Sequence, residues 1–271
     1  MTSVIKLLGT LEISEDGTPS KLLQSGKGCA LLSYLIITGQ PQPREKLADL
    51  LFESSSTAQS LKNLRSLVSR IRPFTPSLHV TRNTLSFQPQ PDSFVDLDAL
   101  RAALASPETA VKAQGLQLYK GDLLASFYLP EAPHFNEWLA VAREKLRLQV
   151  IAAHRDLCTV FHIRQEWANG ITIARHWVAI DDLDEEAYRW LMQLLAANGQ
   201  PSAALKRFEQ CRQRLWQELG IEPDSVTMAL ADQLAQQQAA NKSFAVEPMP
   251  EAGVLSQPGA LPPQSHMPFY R

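Results

Sequence analysis

The chain has 271 residues, of which 45% are hydrophobic and 20% charged, with a formal net charge of −2. That length allows one or two domains with ample core, and the composition is that of an ordinary soluble protein, which excludes disordered and fibrous classes. Nothing approaches the run of about eighteen apolar residues that a membrane helix needs, and the N-terminus carries no cleavable-signal pattern, so a cytoplasmic protein without a membrane partner is expected.

Cys29, Cys158 and Cys211 lie far apart in apolar helical stretches. They have neither metal nor disulfide spacing and read as buried thiols in a reducing compartment. The small net charge hides an asymmetry. From Met1 to Gln88 ten Lys/Arg stand against six Asp/Glu, and from Pro89 to Gln238 fourteen stand against twenty. A basic front and an acidic back predict two modules, with the front the better candidate for a polyanion.

In chain order, VIKLLGTLEI over 4–13 is aliphatic and β-branched and predicts a strand. Asp16-Gly17 predicts a hairpin turn, with a return strand over Lys21 to Leu23. Lys27 to Thr38 has helical spacing and Gly39 ends it. Pro43 suits the first turn of a helix running from Arg44 to Phe52. Ser54 to Phe74, SSSTAQSLKNLRSLVSRIRPF, offers serine and threonine caps, a helix of about sixteen residues, and Pro73 to stop it. After Pro76, LHVTRNTLSFQ alternates on either side of Asn83-Thr84 and predicts a hairpin, with Asn83 able to take a positive φ.

The third of these helices has two faces. Leu61, Leu64, Val68 and Ile71 form an apolar back. Gln59, Lys62, Ser66, Ser69 and Arg70 form the front, flanked by Asn63 and Arg65. From Thr57 to Arg82 there is no acid, while Lys62, Arg65, Arg70, Arg72 and Arg82 are basic. Arg and Lys read guanine, Gln and Asn read adenine, and Ser contacts bases or phosphates, so this front suits a major groove. The bland alternative for the helix alone is a solvated surface face.

LLGTLEI, KGCALLSYLI, PREKLADLLF and LKNLRSLVSRIR, in this order and followed by a hairpin, resemble the OmpR-like winged-helix domain. The resemblance is closer to the front of SARP-type regulators, which join that domain to a bacterial transcriptional activator domain. It implies that Lys62, Asn63, Ser66, Ser69 and Arg70 face double-stranded DNA, with Arg72 and Arg82 on phosphates. The chain departs from the pattern at the wing. RNTLSF stands where the family has a glycine-rich turn with an aromatic, which leaves Arg82 as the wing's phosphate donor.

The proline-rich passage Gln88 to Asp92 reads as the boundary. Beyond it the pattern is helical: Phe94 to Ala105 capped by Asp92, Glu108 to Tyr119 opened by Pro107, and a long helix whose buried face runs through Trp138, Leu139, Ala142, Leu146, Val150 and Ala153. Two helix pairs follow, 154–164 with 167–180 and 185–198 with 201–219, at a period near 35 residues. This suggests tetratricopeptide-like stacking closed by a cap over 225–238. YKGDLLASFYLPEAPHFNEWLAVAREKLR and NGQPSAALKRFEQCRQRLWQELGIEPD resemble the linker, first long helix and last helix pair of the activator domain.

The expected fold is mainly α: a winged helix over 1–90, a TPR-like array over 91–238, and a Pro-, Gly- and Ser-rich tail or linker over 239–271. There is no phosphate-binding glycine loop, no paired histidine metal spacing and no nucleophile elbow, so no enzyme and no cofactor are expected. Asp181, Asp182, Asp184, Glu185 and Glu186 read as a solvated loop and helix cap. Trp138, Trp167, Trp177, Tyr188, Trp190 and Trp216 read as core at helix seams. The expected function is a DNA-binding transcriptional regulator. Its array would bind RNA polymerase, a sensor protein or a second copy of the chain. The competing reading is an interaction scaffold, or the front end of a longer signalling ATPase, whose winged helix binds no DNA.

Overall fold

The computed structural model describes residues 3–15, 18–19 and 26–244. Strands β1 (Ser3–Lys6) and β2 (Glu12–Glu15) run antiparallel with Ile5 opposite Ile13, and β3 (Thr18–Pro19) pairs with β2. The single strand expected over 4–13 is therefore two. The chain reverses at Gly9, whose φ of 97° favours a residue without a Cβ. The N–H of Gly9 donates to the Asp122 carbonyl at 3.0 Å. The turn predicted at Asp16-Gly17, the strand over Lys21 to Leu23 and the tail beyond 244 lie outside the described residues.

Helix α1 (Gly26–Thr38) is buried along most of its length, and the Gly39 N–H closes it on the Leu35 carbonyl. Strand β4 (Gln42–Pro43) leads into α2 (Arg44–Phe52). Pro43, expected in the first helical turn, sits one step earlier: it opens the helix from outside while pairing with Thr84 on a sheet edge. An edge position tolerates a residue with no N–H to donate. Helix α3 (Thr57–Ile71) runs into a 3-10 turn, Arg72–Phe74, in which Pro73 stops the α-helix as expected. Strands β5 (Leu78–Val80) and β6 (Thr84–Phe87) form the predicted hairpin, and β4 adds to it in the order β4-β6-β5. Three helices between two small sheets, with a terminal hairpin, make the expected winged helix.

Phe94 does not begin a helix. Phe94 and Val95 form β7, parallel to β1, with Val4 opposite Phe94 and Ile5 opposite Val95. Helix α4 (Asp96–Ala105) starts after them, so Asp96 rather than Asp92 stands at its head. The Asp96 carboxylate is buried and accepts from the backbone N–H groups of Leu7 and Leu8 at 2.8 and 3.0 Å. Helix α5 (Thr109–Leu116) packs on α4 so closely that a Cβ built on Gly115 would lie 2.1 Å from the Ala103 Cβ.

The back half is the stack α6 (Pro133–Ile163), α7 (Trp167–Ile180), α8 (Glu185–Ala197), α9 (Pro201–Leu219) and α10 (Ser225–Phe244), each helix packed on the next. The end of α6 with α7, and α8 with α9, form the two pairs, and α10 covers them. Gly170 lets α7 approach its neighbours: a Cβ there would meet Leu194 at 2.8 Å. The acidic cluster is a set of caps and ion pairs. Asp184 accepts from the Glu186 N–H and the Trp177 indole N–H, while Asp181, Asp182 and Glu186 meet Arg147, Arg214 and Arg155. Trp177 and Tyr188 are fully buried, but Trp216 is 59% exposed and does not fill a seam. His154 is buried against His176, with Nε2 and Nδ1 2.9 Å apart, whereas His162 lies at the surface beside Trp167. All three cysteines are buried, and burial pushes each thiol up to about 12.

One hydrophobic core runs through both halves. Tyr34 of α1 and Trp138 of α6 meet across the junction in a tilted contact, with ring centroids 4.4 Å apart.

Candidate nucleic-acid interface

Helix α3 is held from behind. Leu64, Leu67, Val68 and Ile71 are buried, and Leu61 only half so; the apolar face is therefore turned toward Leu67 relative to the face read from spacing. Buried Ser60 fixes the start of the helix: its hydroxyl lies within hydrogen-bond reach of the carbonyls of Phe52, Ser55 and Ser56, at 2.9, 3.3 and 3.1 Å. With the back locked, the opposite side faces solvent. Gln59, Lys62, Arg65, Ser66, Ser69 and Arg70 are exposed on α3, Arg72 just beyond it and Arg82 on the hairpin turn, while Asn63 is half-buried.

Among the described residues no ion pair engages Lys62, Arg65, Arg70, Arg72 or Arg82. The acid nearest in sequence, Glu53, is drawn toward α6, where His134 Nδ1 lies 2.8 Å from its carboxylate. The two amides share one hydrogen bond: Gln59 Nε2 donates to Asn63 Oδ1 at 2.8 Å. This leaves one amide proton of Gln59 and both of Asn63 for an outside acceptor.

The hairpin turn is built differently from expectation. Asn83 does not adopt a positive φ. The Thr81 hydroxyl instead accepts from the N–H groups of Asn83 and Thr84 at 3.3 and 2.9 Å. The Asn83 carbonyl accepts the Arg44 N–H at 2.9 Å, which ties the wing tip to the head of α2.

That tie places a residue to which sequence reasoning assigned no role. Arg44, Arg65 and Arg72 surround a notch of about 500 Å³ between the head of α2, the second half of α3 and Val80 of the wing. The Arg44 Nε is buried there with no hydrogen-bond partner. Arg65 and Arg72 are seven residues apart, two helical turns on one side, which is a readable signal. Arg44 reaches them only through the fold. Three guanidinium groups around an open notch favour an anion with several acceptor oxygens.

Among the described residues no group of three or more His, Cys, Asp or Glu side chains could hold a metal ion, and no helix is long and apolar enough to cross a membrane.

The family model described as the bacterial transcriptional activator domain matches residues 92–235, more than half of the chain. No curated protein matches the chain. A solved structure of Mycobacterium tuberculosis EmbR, in complex with a low-affinity phosphopeptide, superposes with a TM-score of 0.56 at 18% identity, over 90% of this chain and 69% of that one. At that identity the likeness speaks for the shared fold. With its activator domain behind a winged helix, the chain belongs to the bacterial transcriptional activator domain family, in its SARP-type arrangement.

Proposed function

We propose that the protein is a cytoplasmic, DNA-binding transcriptional regulator. Residues 1–90 would read the duplex, residues 91–238 would bind partners, and 239–271 would serve as tail or linker. The observation that carries this reading is the exposed front of α3, which is cationic, amide-bearing and free of carboxylates. Lys62, Asn63, Ser66 and Arg70 enter the major groove, with Gln59, Arg65 and Ser69 at its sides. Arg72 and Arg82 hold phosphates, and the Arg44–Arg65–Arg72 notch accepts a phosphate of the flanking backbone.

The array supports the partner role through an apolar end. Trp216, Leu219, Ile221, Val226 and Met228 are all exposed where α9 meets α10. Large apolar side chains left exposed along one stretch of the chain favour a protein partner, here RNA polymerase, a sensor or a second copy.

Salt-titrated binding of the full chain to random duplex DNA tests the reading. Micromolar, salt-sensitive association is expected, and Lys62→Ala with Arg70→Ala should weaken it. If the double variant binds with unchanged affinity and salt slope, the assignment of the α3 front is wrong. Absence of binding even at low salt would favour the second reading, an interaction scaffold; the hairpin turn, which lacks an aromatic, fits that reading.

A further inference from the structure

A groove of about 1030 Å³ lies between the two modules, walled by the end of α1 and the head of α2 on one side and by α4, α5 and α6 on the other. We propose that it binds an amphipathic organic anion of the fatty-acid-like carboxylate class, bridging the winged helix and the helical array. The site is distinct from the α3 front, and the proposal does not rest on DNA binding.

Two properties of the groove point to that ligand. Its floor is apolar: Leu97, Trp138 and Leu146 contribute side chains from both flanking helices, and Val141 lies on its wall 69% exposed. Its rim is cationic: Lys46, Lys112 and Lys145 stand around it with a single acid, Asp156. The Lys112 and Lys145 ammonium groups make no hydrogen bond or ion pair among the described residues, and Lys46 reaches the Gln42 amide oxygen at 3.3 Å and lies over the Tyr34 ring, 5.8 Å from its centroid, without meeting a carboxylate. The fourth cation, Arg101, is part of the wall, since it donates to the Ile37 carbonyl at 2.7 Å.

The contrast with the rest of the helical module is informative. Arg147, Arg155, Arg189 and Arg214 are each matched by a carboxylate. In a module with more acids than bases, two lysines without an ion pair, Lys112 and Lys145, line the groove where an apolar floor opens. Greasy floor and unpaired ammonium groups complement an apolar body with an anionic head. The volume is at the upper end of the range of small-ligand pockets, roughly 300–1000 Å³.

The occupant would touch Lys46 of one module and Lys112 and Lys145 of the other, close to the Tyr34–Trp138 contact. It would therefore favour one arrangement of the junction.

Decanoate binding to the full chain, followed by calorimetry and by displacement of anilinonaphthalenesulfonate fluorescence, tests the site without DNA. Saturable binding is expected, with decanol weaker by about tenfold or more because it lacks the charge. Lys112→Gln with Lys145→Gln should weaken decanoate by about tenfold or more with an unchanged melting temperature, since Lys145 is exposed, Lys112 half-buried, and neither ammonium group holds a carboxylate. Ala152→Trp, at an exposed position of the lining, should block the groove. No decanoate binding, equal affinity for decanol, or binding indifferent to both variants would overturn the proposal. So would two results that give the groove another occupant. One is protease protection of residues 245–271 that Ala152→Trp abolishes, which would assign it to the chain's own tail. The other is a dimer that Ala152→Trp dissociates, which would assign it to a second copy.

Discussion

The Asp96 carboxylate accepts the backbone N–H of Leu7 through both of its oxygens, at 2.8 and 2.9 Å. One of these oxygens also accepts from Leu8, so a residue at the head of the helical module closes the N-terminal strand of the other module. Asp96→Ala would leave two buried donors unsatisfied. A loss of about 2–4 kcal/mol is expected, measured by urea denaturation, with Asp96→Asn closer to the parent because it keeps one acceptor.

Arg44→Gln should lower DNA affinity across all sequences and reduce the slope of log affinity against log salt by about 0.9, the mark of one lost phosphate contact. A change confined to one DNA sequence would instead make Arg44 a base reader. Fluorescence anisotropy at several salt concentrations separates the two outcomes.

Gly115→Ala should destabilise the fold by about 1–3 kcal/mol. The new methyl meets the Ala103 Cβ, which is tied to its backbone and cannot swing away, so α4 and α5 must part. Gly170→Ala should cost less, since its one severe contact is with the flexible end of Leu194 at 2.8 Å, and the fixed Phe161 Cβ lies farther off at 3.3 Å. The difference in melting temperature between the two variants is the measurement.

Burial holds the His154 imidazole neutral and lowers its pKa from 6.5 to about 4. In the unfolded chain it takes up a proton more readily. The stability it contributes is present above pH 6.5 and is lost as pH falls from there through about 4. His176, its partner, is shifted in the same direction by burial. A melting temperature followed over that range should fall with acid, and His154→Gln should flatten the decline.

The helices of the front module were readable because their signals are local. Leu64, Val68 and Ile71 recur at helical spacing, and Pro73 ends α3 whatever surrounds it. The strand β7 was not readable. Two residues form it, and they are extended because they pair with Val4 and Ile5, some ninety positions earlier. The same distance effect hid Arg44: its helix-opening position was visible, but its company with Arg65 and Arg72 exists only after α2 and α3 pack. Trp216 failed in the other direction. It reads as core with the other aromatics, yet it stands on the outer face of α9, while its neighbour Leu215 faces the core. Leu67 was missed because a face chosen at strict intervals narrows what packing makes broad.

The pairing of β7 with β1 has a practical corollary for anyone dividing the gene. A fragment stopped at the proline-rich passage would lose its outermost ribbon and the carboxylate that closes it. The bared flank of β1 would then offer unclosed amides to the next copy, an invitation to clump. Extending the cut point past Ala105 retains both, and extending it past Ala125 also keeps the backbone bonds that Leu7 and Gly9 make to residues 122–125.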